Sequence, residues 1–395
     1  MCRGNFEKMV AKTLTIVQML PELQSGGVER GTLELGTFLS QKNHKSIVIS
    51  DGGGMVPKLE KGGSIHVKWK IGGKSPITLR YFFPLRRLLV REKVNILHLR
   101  SRVPAWLGYL VWKSLPSPGR PRLVTTVHGD YSVNFFSAIM TKGERVVAVS
   151  DYIRTYITHN YPKTSLGKIR VIPRGIDPAE YPYGYKPSIH WQKDWYAQYP
   201  QLKGPFVLGI IGRISRLKGH LFFLEVLKGL AQKGLNVHGL ILGRADEKRS
   251  RYLKELHQFV DQNHMEHDIT FAGYHEQVRD ITASLNMVVS FSQKPESFGR
   301  SVLEALSLGI PVAGFGYGGV GEILRTVFPQ GVIHERDMNN ALEVITHICH
   351  KRSLPSREHP YILDKMLNST LRLYHELVSN NDRADSHLLP QISKY

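Results

Sequence analysis

The chain has 395 residues, 42% of them hydrophobic and 22% charged, a soluble globular composition on a length that suits two domains better than one ordinary core. Its two cysteines, Cys2 and Cys349, exclude a disulfide framework beyond a single bridge and favour a reducing compartment. The formal net charge is +20, and residues 1–185 hold 28 Lys and Arg against 12 Asp and Glu, so the first half is the basic half. Such a field attracts anionic lipid headgroups, phosphorylated glycolipids or nucleic acid, or serves solubility alone.

The first apolar run, 14–20, is short and passes into Pro21-Glu22 rather than a small-residue cleavage site, so no secretory signal is expected. No stretch reaches the length of a transmembrane helix, and any membrane contact is expected to be peripheral. Apolar, β-rich runs at 14–19, 46–50, 95–99, 123–127 and 146–149 read as strands, with helical patterns at 28–41, 79–91 and 105–115 between them. That alternation predicts a parallel sheet covered by helices. The helix candidate at 79–91 is basic, apolar and aromatic. It either lies on an anionic membrane surface or covers the sheet with snorkelling arginines.

The pattern pauses in Tyr181-Pro182-Tyr183-Gly184-Tyr185-Lys186-Pro187 and restarts with strands at 206–211, 237–242, 269–271 and 287–291. Two Rossmann-like units joined near 185–203 are therefore predicted. No repeat of fixed period or low-complexity tract is present. A helical pattern at 361–378 closes the chain, and the polar residues after about Asn380 read as a mobile tail.

Several loops carry residues suited to phosphate and sugar chemistry. Gly26 and Gly27 follow the first strand and open a helix, which lets backbone approach a ligand phosphate. His128 stands just past a strand, two residues before Asp130, where a structural histidine is the ordinary alternative to a functional one. Arg213 and Lys218 follow the strand 206–211, and two cations at a strand's carboxyl end can hold a diphosphate and stabilise the charge that builds on it. Glu296 and Glu304 flank a turn in the segment 295–312, Glu296 on a loop and Glu304 on a helix that stops at Gly309. A helix N-terminus at such a turn favours a diphosphate, and the carboxylates can accept hydrogen bonds from sugar hydroxyls. No Asp-x-Asp and no Cys/His cluster of zinc spacing occurs, so a metal-bridged diphosphate is not expected.

Glu296-Ser297-Phe298-Gly299, Glu304-Ala305 and Gly309-Ile310-Pro311-Val312 together resemble the E-x7-E signature of retaining GT-B glycosyltransferases of family 4. The string Gly212-Arg213 through Lys218-Gly219 resembles the same family's G-R-x-x-x-x-KG segment, and Gly26-Gly27-Val28-Glu29 its GG-x-E loop. The run His98-Leu99-Arg100-Ser101-Arg102-Val103-Pro104-Ala105-Trp106 resembles a bacterial branch associated with lipopolysaccharide and surface-glycan assembly.

The resemblance implies a GT-B fold, two Rossmann-like domains facing a central cleft. Residues 1–185 would be the acceptor domain, 186–356 the nucleotide-sugar donor domain, 357–380 a helix crossing back to the first domain and 381–395 a mobile tail. It also implies site roles. Glu304 binds the ribose, and Glu296 faces the donor sugar, approached by the amides of Phe298 and Gly299 within the Ser297–Arg300 turn. The backbone of Ser301 and Val302 meets the phosphate, Gly212 lies beside it, and Gly273 and Tyr274 sit where the family holds the base. His128 reaches the donor sugar. Arg100, Arg102 and Arg174, with Asp130, either read acceptor phosphates or carboxylates or make local salt bridges.

The implied function is transfer of a hexose-like sugar, with retention, from a nucleoside diphosphate donor to a lipid-linked or lipopolysaccharide-core acceptor. The nucleotide sugar is a co-substrate, with no other cofactor and no metal expected, and the protein would be cytoplasmic, peripheral on the cytoplasmic face of the inner membrane. Two alternatives of other kinds stay open: a cytosolic synthase acting on a soluble sugar or sugar phosphate, and a noncatalytic nucleic-acid binder. The second would explain the charge but lacks any helix-turn-helix, zinc-finger or RNP-type signature. A Rossmann oxidoreductase is disfavoured because no G-x-G-x-x-G follows the first strand.

Overall fold

A computed structural model describes residues 13–24, 26–73, 76–245 and 250–386. The described chain forms two contact units. One comprises the residues up to Ala148, 156–172 and those from Leu367 onward; the other comprises 149–155 and 173–366.

The first unit holds β1 (Thr15–Met19), α1 (Gly27–Gln41), β2 (Lys45–Ser50), α2 (Val56–Lys61), β3 (Ile65–Lys68), α3 (Phe82–Arg91), β4 (Ile96–Leu99), α4 (Arg102–Ser114), β5 (Arg122–Val127), β6 (Arg145–Ala148) and β7 (Ile169–Val171). α5 (Asp151–Asn160) lies between β6 and β7. All seven strands are parallel, in the order β3-β2-β1-β4-β5-β6-β7. Successive residues of β1, among them Ile16, Val17 and Met19, are fully buried, as a parallel sheet covered on both faces requires.

The second unit holds α6 (Ile189–Gln198), β8 (Phe206–Ile211), α7 (His220–Gln232), β9 (Val237–Leu242), α8 (Ser250–Gln262), β10 (Ile269–Gly273), α9 (Val278–Ala283), β11 (Met287–Ser290), α10 (Arg300–Ser307), β12 (Val312–Phe315), α11 (Gly318–Val327), β13 (Val332–Ile333) and α12 (Met338–Lys351). Its parallel sheet runs β10-β9-β8-β11-β12-β13. Its core is continuous from Ile176 to Ile348. The last helix, α13 (Leu363–Ser386), begins in the second unit and belongs to the first from Leu367.

Crossover helices stop by a shared device. After α1, Asn43 takes a left-handed φ of 61° and the His44 N–H donates to the Leu39 carbonyl at 2.9 Å. After α3, Lys93 has φ 47° and the Val94 N–H donates to the Leu89 carbonyl at 3.0 Å. Each left-handed residue satisfies otherwise orphaned helix carbonyls and turns the chain directly into the next strand.

Differences from the sequence reading are local. The pattern at 79–91 becomes a helix only from Phe82, because 76–81 forms a 3-10 turn, with Pro84 in the first turn of α3 where a missing N–H costs nothing. Four strands, β3, β7, β12 and β13, are additional and at most four residues long. The change of unit falls at Pro173 rather than Tyr185. Ile176 and Tyr181 are buried in the second core, and the Ile176 N–H donates to the Tyr361 carbonyl at 3.0 Å. α13 continues to Ser386, past the expected end at 380; the rest of the expected tail, 387–395, lies outside the described residues. Fully buried Tyr374 holds α13 to the first unit, its hydroxyl 2.6 Å from His98 Nδ1, while His98 Nε2 lies 2.6 Å from Thr126 Oγ1.

Candidate functional site

In the second sheet the strand order reverses between β8 and β11, which pair in register (Val288 with Gly209, Val289 with Ile210). Loops leaving the carboxyl ends of these two strands therefore emerge side by side, at the position where open parallel sheets bind ligands. One loop carries Gly212, Arg213 and Lys218; the other carries Glu296 and leads into α10.

The first loop is pressed against β11. Gly219 adopts φ 75°, and a Cβ there would come within 2.0 Å of the Phe291 carbonyl oxygen, so only glycine fits. The Gln293 N–H donates to the Leu217 carbonyl at 2.7 Å and ties the loops together. Lys218 Nζ consequently reaches Glu296 Oε1 at 2.7 Å, the two side chains being 30% and 24% exposed. Ser292 Oγ donates to the same carboxylate oxygen. Arg213 is exposed and makes no ion pair among the described residues.

The second loop is clamped from α11. The Gly319 N–H donates to the Glu296 carbonyl at 2.7 Å, and a Cβ at Gly319 would lie 2.4 Å from Phe298 Cα. Tyr317 donates its hydroxyl proton to the Ser292 carbonyl, and burial pushes that phenol up to about 12. Phe298 is buried edge-to-face against Tyr361, while the Ser297 carbonyl accepts from Ser150 Oγ at 2.6 Å. Gly299, at φ 99°, then opens α10 with no side-chain cap. The N–H groups of Arg300, Ser301 and Val302 thus form an uncapped first turn whose partial positive charge suits a phosphate. One turn on, Glu304 Oε1 accepts from Arg300 Nε at 2.9 Å, both side chains about one-sixth exposed (17% and 16%). Each signature glutamate therefore rests against its own cation.

Beside this pair of loops, Gly273 ends β10 with φ 74° and accepts from the Gly243 N–H at 2.8 Å. The following Tyr274 is 59% exposed, and the Arg244 guanidinium lies 4.7 Å from its ring centroid. This cation–aromatic pair offers a flat surface next to the Gly212 loop.

In the first sheet the order reverses between β1 and β4, and its candidate residues follow those strands and β5. Gly26, at φ 144°, precedes α1 with the Glu29 carboxylate folded against it. Arg100 is only 6% exposed, its Nη1 donating to Gln18 Oε1 at 2.8 Å. Arg102 is partly exposed, donates to Ser137 Oγ at 3.1 Å and sits 4.6 Å from the Tyr131 ring centroid. The His128 N–H donates to Tyr131 Oη at 3.3 Å with the imidazole half-buried, and Asp130 is exposed. Arg174, in the second unit, is 8% exposed. Arg100 and Arg174 are thus buried, whereas Arg102 and Asp130 are the more accessible of the four.

Sequence reasoning missed Ser292, Tyr317, Gly319, Arg244 and Glu322. The Gly316-Tyr317-Gly318-Gly319 run was a legible signal of close backbone approach; Ser292 and Arg244 carried none. Glu322 accepts from the backbone N–H groups of Asp151, at 3.1 Å, and Tyr152 at the start of α5, and burial raises its carboxyl pKa. Among the described residues, no group of three or more His, Cys, Asp or Glu side chains could hold a metal ion, and no helix is long and apolar enough to cross a membrane.

Two family models match successive parts of the chain: Glycosyltransferase Family 4 over residues 25–180 and Glycosyl transferases group 1 over residues 192–361. The chain belongs to the family 4-like glycosyltransferases of the GT-B fold. It is 24% identical to Spore coat protein SA of Bacillus subtilis over 62% of its own length and 66% of that protein. It is likewise 24% identical to N-acetyl-alpha-D-glucosaminyl L-malate synthase of Bacillus anthracis, over 77% of its length and 79% of that protein. A glycosyltransferase structure from Rickettsia africae superposes with TM-score 0.78 at 24% identity, covering 93% of this chain and 99% of that one. Anabaena HepE, solved in complex with UDP-glucose, superposes with TM-score 0.71 at 17% identity, covering 94% and 100%. Within the family frame, the group 1 match contains both glutamates, Arg213, Lys218 and the Tyr274 loop.

Proposed function

We propose that the protein transfers a hexose-like sugar from a nucleoside diphosphate donor to a hydroxyl of a lipid-linked or lipopolysaccharide-core acceptor, with retention of anomeric configuration. The observation that carries this reading is the Lys218–Glu296 pair at 2.7 Å beside the uncapped first turn of α10, at the reversal point of the second sheet. HepE, a protein of the same fold, binds UDP-glucose, which supports a nucleotide sugar as donor.

In this reading the diphosphate lies against the N–H groups of Arg300, Ser301 and Val302, with Arg213 and Lys218 beside it. Glu304 accepts from the ribose hydroxyls, Glu296 from those of the sugar, and the base stacks on Tyr274 under Arg244. As the bond from the anomeric carbon to the β-phosphate oxygen breaks, charge grows on that oxygen, and the two cations stabilise it. The departing oxygen takes the acceptor hydroxyl's proton, and the acceptor oxygen bonds the anomeric carbon on the same face. Products are the glycoside and the nucleoside diphosphate. Neither an enzymic nucleophile nor a metal is required.

Acceptor delivery is assigned to the basic unit. The inner face of α3 buries Leu85, Leu88 and Leu89, while its outer face exposes Phe83, Arg87, Val90 and Arg91, and the preceding turn exposes Ile77, Leu79 and Arg80. Apolar and cationic side chains mixed on one exposed face suit the cytoplasmic surface of an anionic membrane. One observation favours a soluble acceptor: the Bacillus anthracis relative is named for L-malate.

The deciding experiment screens UDP, GDP and ADP sugars by thermal shift and then follows nucleotide release with and without glycolipid. A donor that stabilises the protein and is consumed only with a lipid-linked hydroxyl supports the proposal. Turnover with a small soluble acid or sugar phosphate and none with glycolipid moves the assignment to the soluble acceptor. No stabilisation by any nucleotide sugar overturns it.

A further inference from the structure

At the amino ends of β4 and β5 the first unit contains a cavity of about 460 Å³. That volume lies within the ~300–1,000 Å³ of ligand sites. Asn95, just before β4, and Arg122, the first residue of β5, line it. It thus lies at the opposite ends of these strands from Arg100, Arg102 and His128. Four residues of β4 separate the two ends, roughly 13 Å at 3.3 Å per residue. No step of transfer uses this cavity.

Its lining divides into two chemistries. Leu89, Val94, Leu115 and Val378 are all less than 9% exposed and form an apolar floor. Lys93, Arg120 and Arg122 supply three cations, and among the described residues no acidic side chain is part of the lining. Two of the cations are held in place: Arg120 Nε donates to the Leu115 carbonyl at 3.0 Å with its guanidinium 4.8 Å from the Trp112 ring centroid, and Arg122 pairs with Glu144 at 3.0 Å. Lys93 is exposed, in its left-handed turn. Val90 also lines the cavity and is 59% exposed. It belongs to the outer face of α3, so the cavity is continuous with the face assigned above to the membrane.

We propose that this cavity seats one anionic phospholipid of that membrane, its phosphate against Lys93, Arg120 and Arg122 and an acyl chain against Leu89, Val94, Leu115 and Val378. Charge complementarity selects the head: Arg122 shares its charge with Glu144, but Lys93 and Arg120 add two further cations, and that positive excess favours an anion over a zwitterion. The apolar floor selects a chain over free phosphate. A nucleotide fits poorly because no aromatic ring among the described residues lines the cavity. The inference rests on the membrane reading of α3 and deepens it: the surface supplies diffuse attraction, and the cavity supplies a single saturable site that holds the basic unit on the bilayer.

The test titrates the full-length protein calorimetrically with short-chain (dihexanoyl) phosphatidylglycerol below its micelle concentration, against dihexanoyl phosphatidylcholine and inorganic phosphate. Lys93→Asn removes a cation with a residue that accepts the left-handed turn, Val90→Trp plugs the mouth from an exposed position, and Arg87→Glu perturbs only the outer face of α3. The expected result is saturable binding of one phosphatidylglycerol per chain. Lys93→Asn and Val90→Trp should weaken it by about fivefold or more with unchanged thermal unfolding. Arg87→Glu should leave it intact while reducing attachment to phosphatidylglycerol vesicles. Equal binding of phosphatidylcholine or of inorganic phosphate, or insensitivity to both cavity variants, overturns the site. Vesicle attachment without saturable short-chain binding overturns the site and leaves the membrane reading standing. Short-chain binding without any vesicle attachment removes the membrane reading and the membrane origin of the lipid together.

Discussion

Replacing Lys218 by methionine removes the ammonium while keeping an apolar stem of similar length, and it separates two roles that the ion pair with Glu296 combines. At the observed 2.7 Å an effective dielectric of about 20 gives a gross attraction of roughly 6 kcal/mol, most of it offset by desolvation. Both side chains are about one-quarter to one-third exposed, so the net contribution to stability lies nearer the surface value, about 1 kcal/mol. Glu296 also retains its hydrogen bond from Ser292 Oγ, which limits the cost of losing its cation. The rate effect is of another size. A preorganised donor aimed at charge that grows only in the transition state contributes about 2.7 to 4 kcal/mol, or roughly a hundred- to a thousandfold.

The expected outcome for Lys218→Met is therefore a fall in kcat/KM of about two to three orders of magnitude with a loss of about 1 kcal/mol in stability. Steady-state release of nucleoside diphosphate measures the first, and urea unfolding of the ligand-free protein the second. A double-mutant cycle with Glu296→Gln should show coupling of about 1 kcal/mol in unfolding, because the partners touch. A variant that keeps kcat/KM within about threefold of the parent refutes the charge-stabilising role, since that difference is under 1 kcal/mol. A stability loss as large as the rate loss refutes it differently, by making the lysine a structural tie.

Three further outcomes are expected. Glu304→Ala should weaken nucleotide binding by about 1.5 to 3 kcal/mol, measured by calorimetry, whereas Glu296→Ala should chiefly lower kcat; wild-type kinetics in both variants would count against the assignment. Transfer should persist in the presence of a chelator, and strict dependence on added divalent metal would contradict the roles given to Arg213 and Lys218. Burial holds buried His220 at about 4, against an ordinary value of 6.5, and also lowers His44, His98, His238, His359 and His375. The unfolded chain binds protons that the folded chain refuses, so stability is complete above about pH 6.5 and declines as pH falls toward 4. His220 alone contributes about 3 kcal/mol to that decline at most. Urea midpoints between pH 7.5 and 4.5 should fall accordingly, and less steeply in His220→Gln; midpoints that rise on acidification would contradict the burial argument.

What could be read from the residues follows from the range of the interactions involved. A strand such as β8 is a run of apolar residues buried through its middle, and burial on both faces writes itself into composition. β7 and β13 are three and two residues long, too short for any period to register. The carboxylates, cations and glycines of the candidate site were legible as residue types because they stand close together in sequence on two strand-to-helix turns. Their partnerships were not. Lys218 meets Glu296 across 78 positions, brought there by the pairing of β8 with β11 and by a glycine at 219 that lets one loop touch the other. Arg244 over Tyr274 and the Gly319 clamp on Glu296 arise in the same way, from neighbouring strands rather than neighbouring residues. Arg100 makes the point in reverse. Its motif left open whether it reads acceptor anions or serves the local structure, and the pairing of β1 with β4 carries it beneath the surface onto Gln18. A motif therefore specifies the chemistry available at a loop, and strand order decides which of those side chains a ligand can meet.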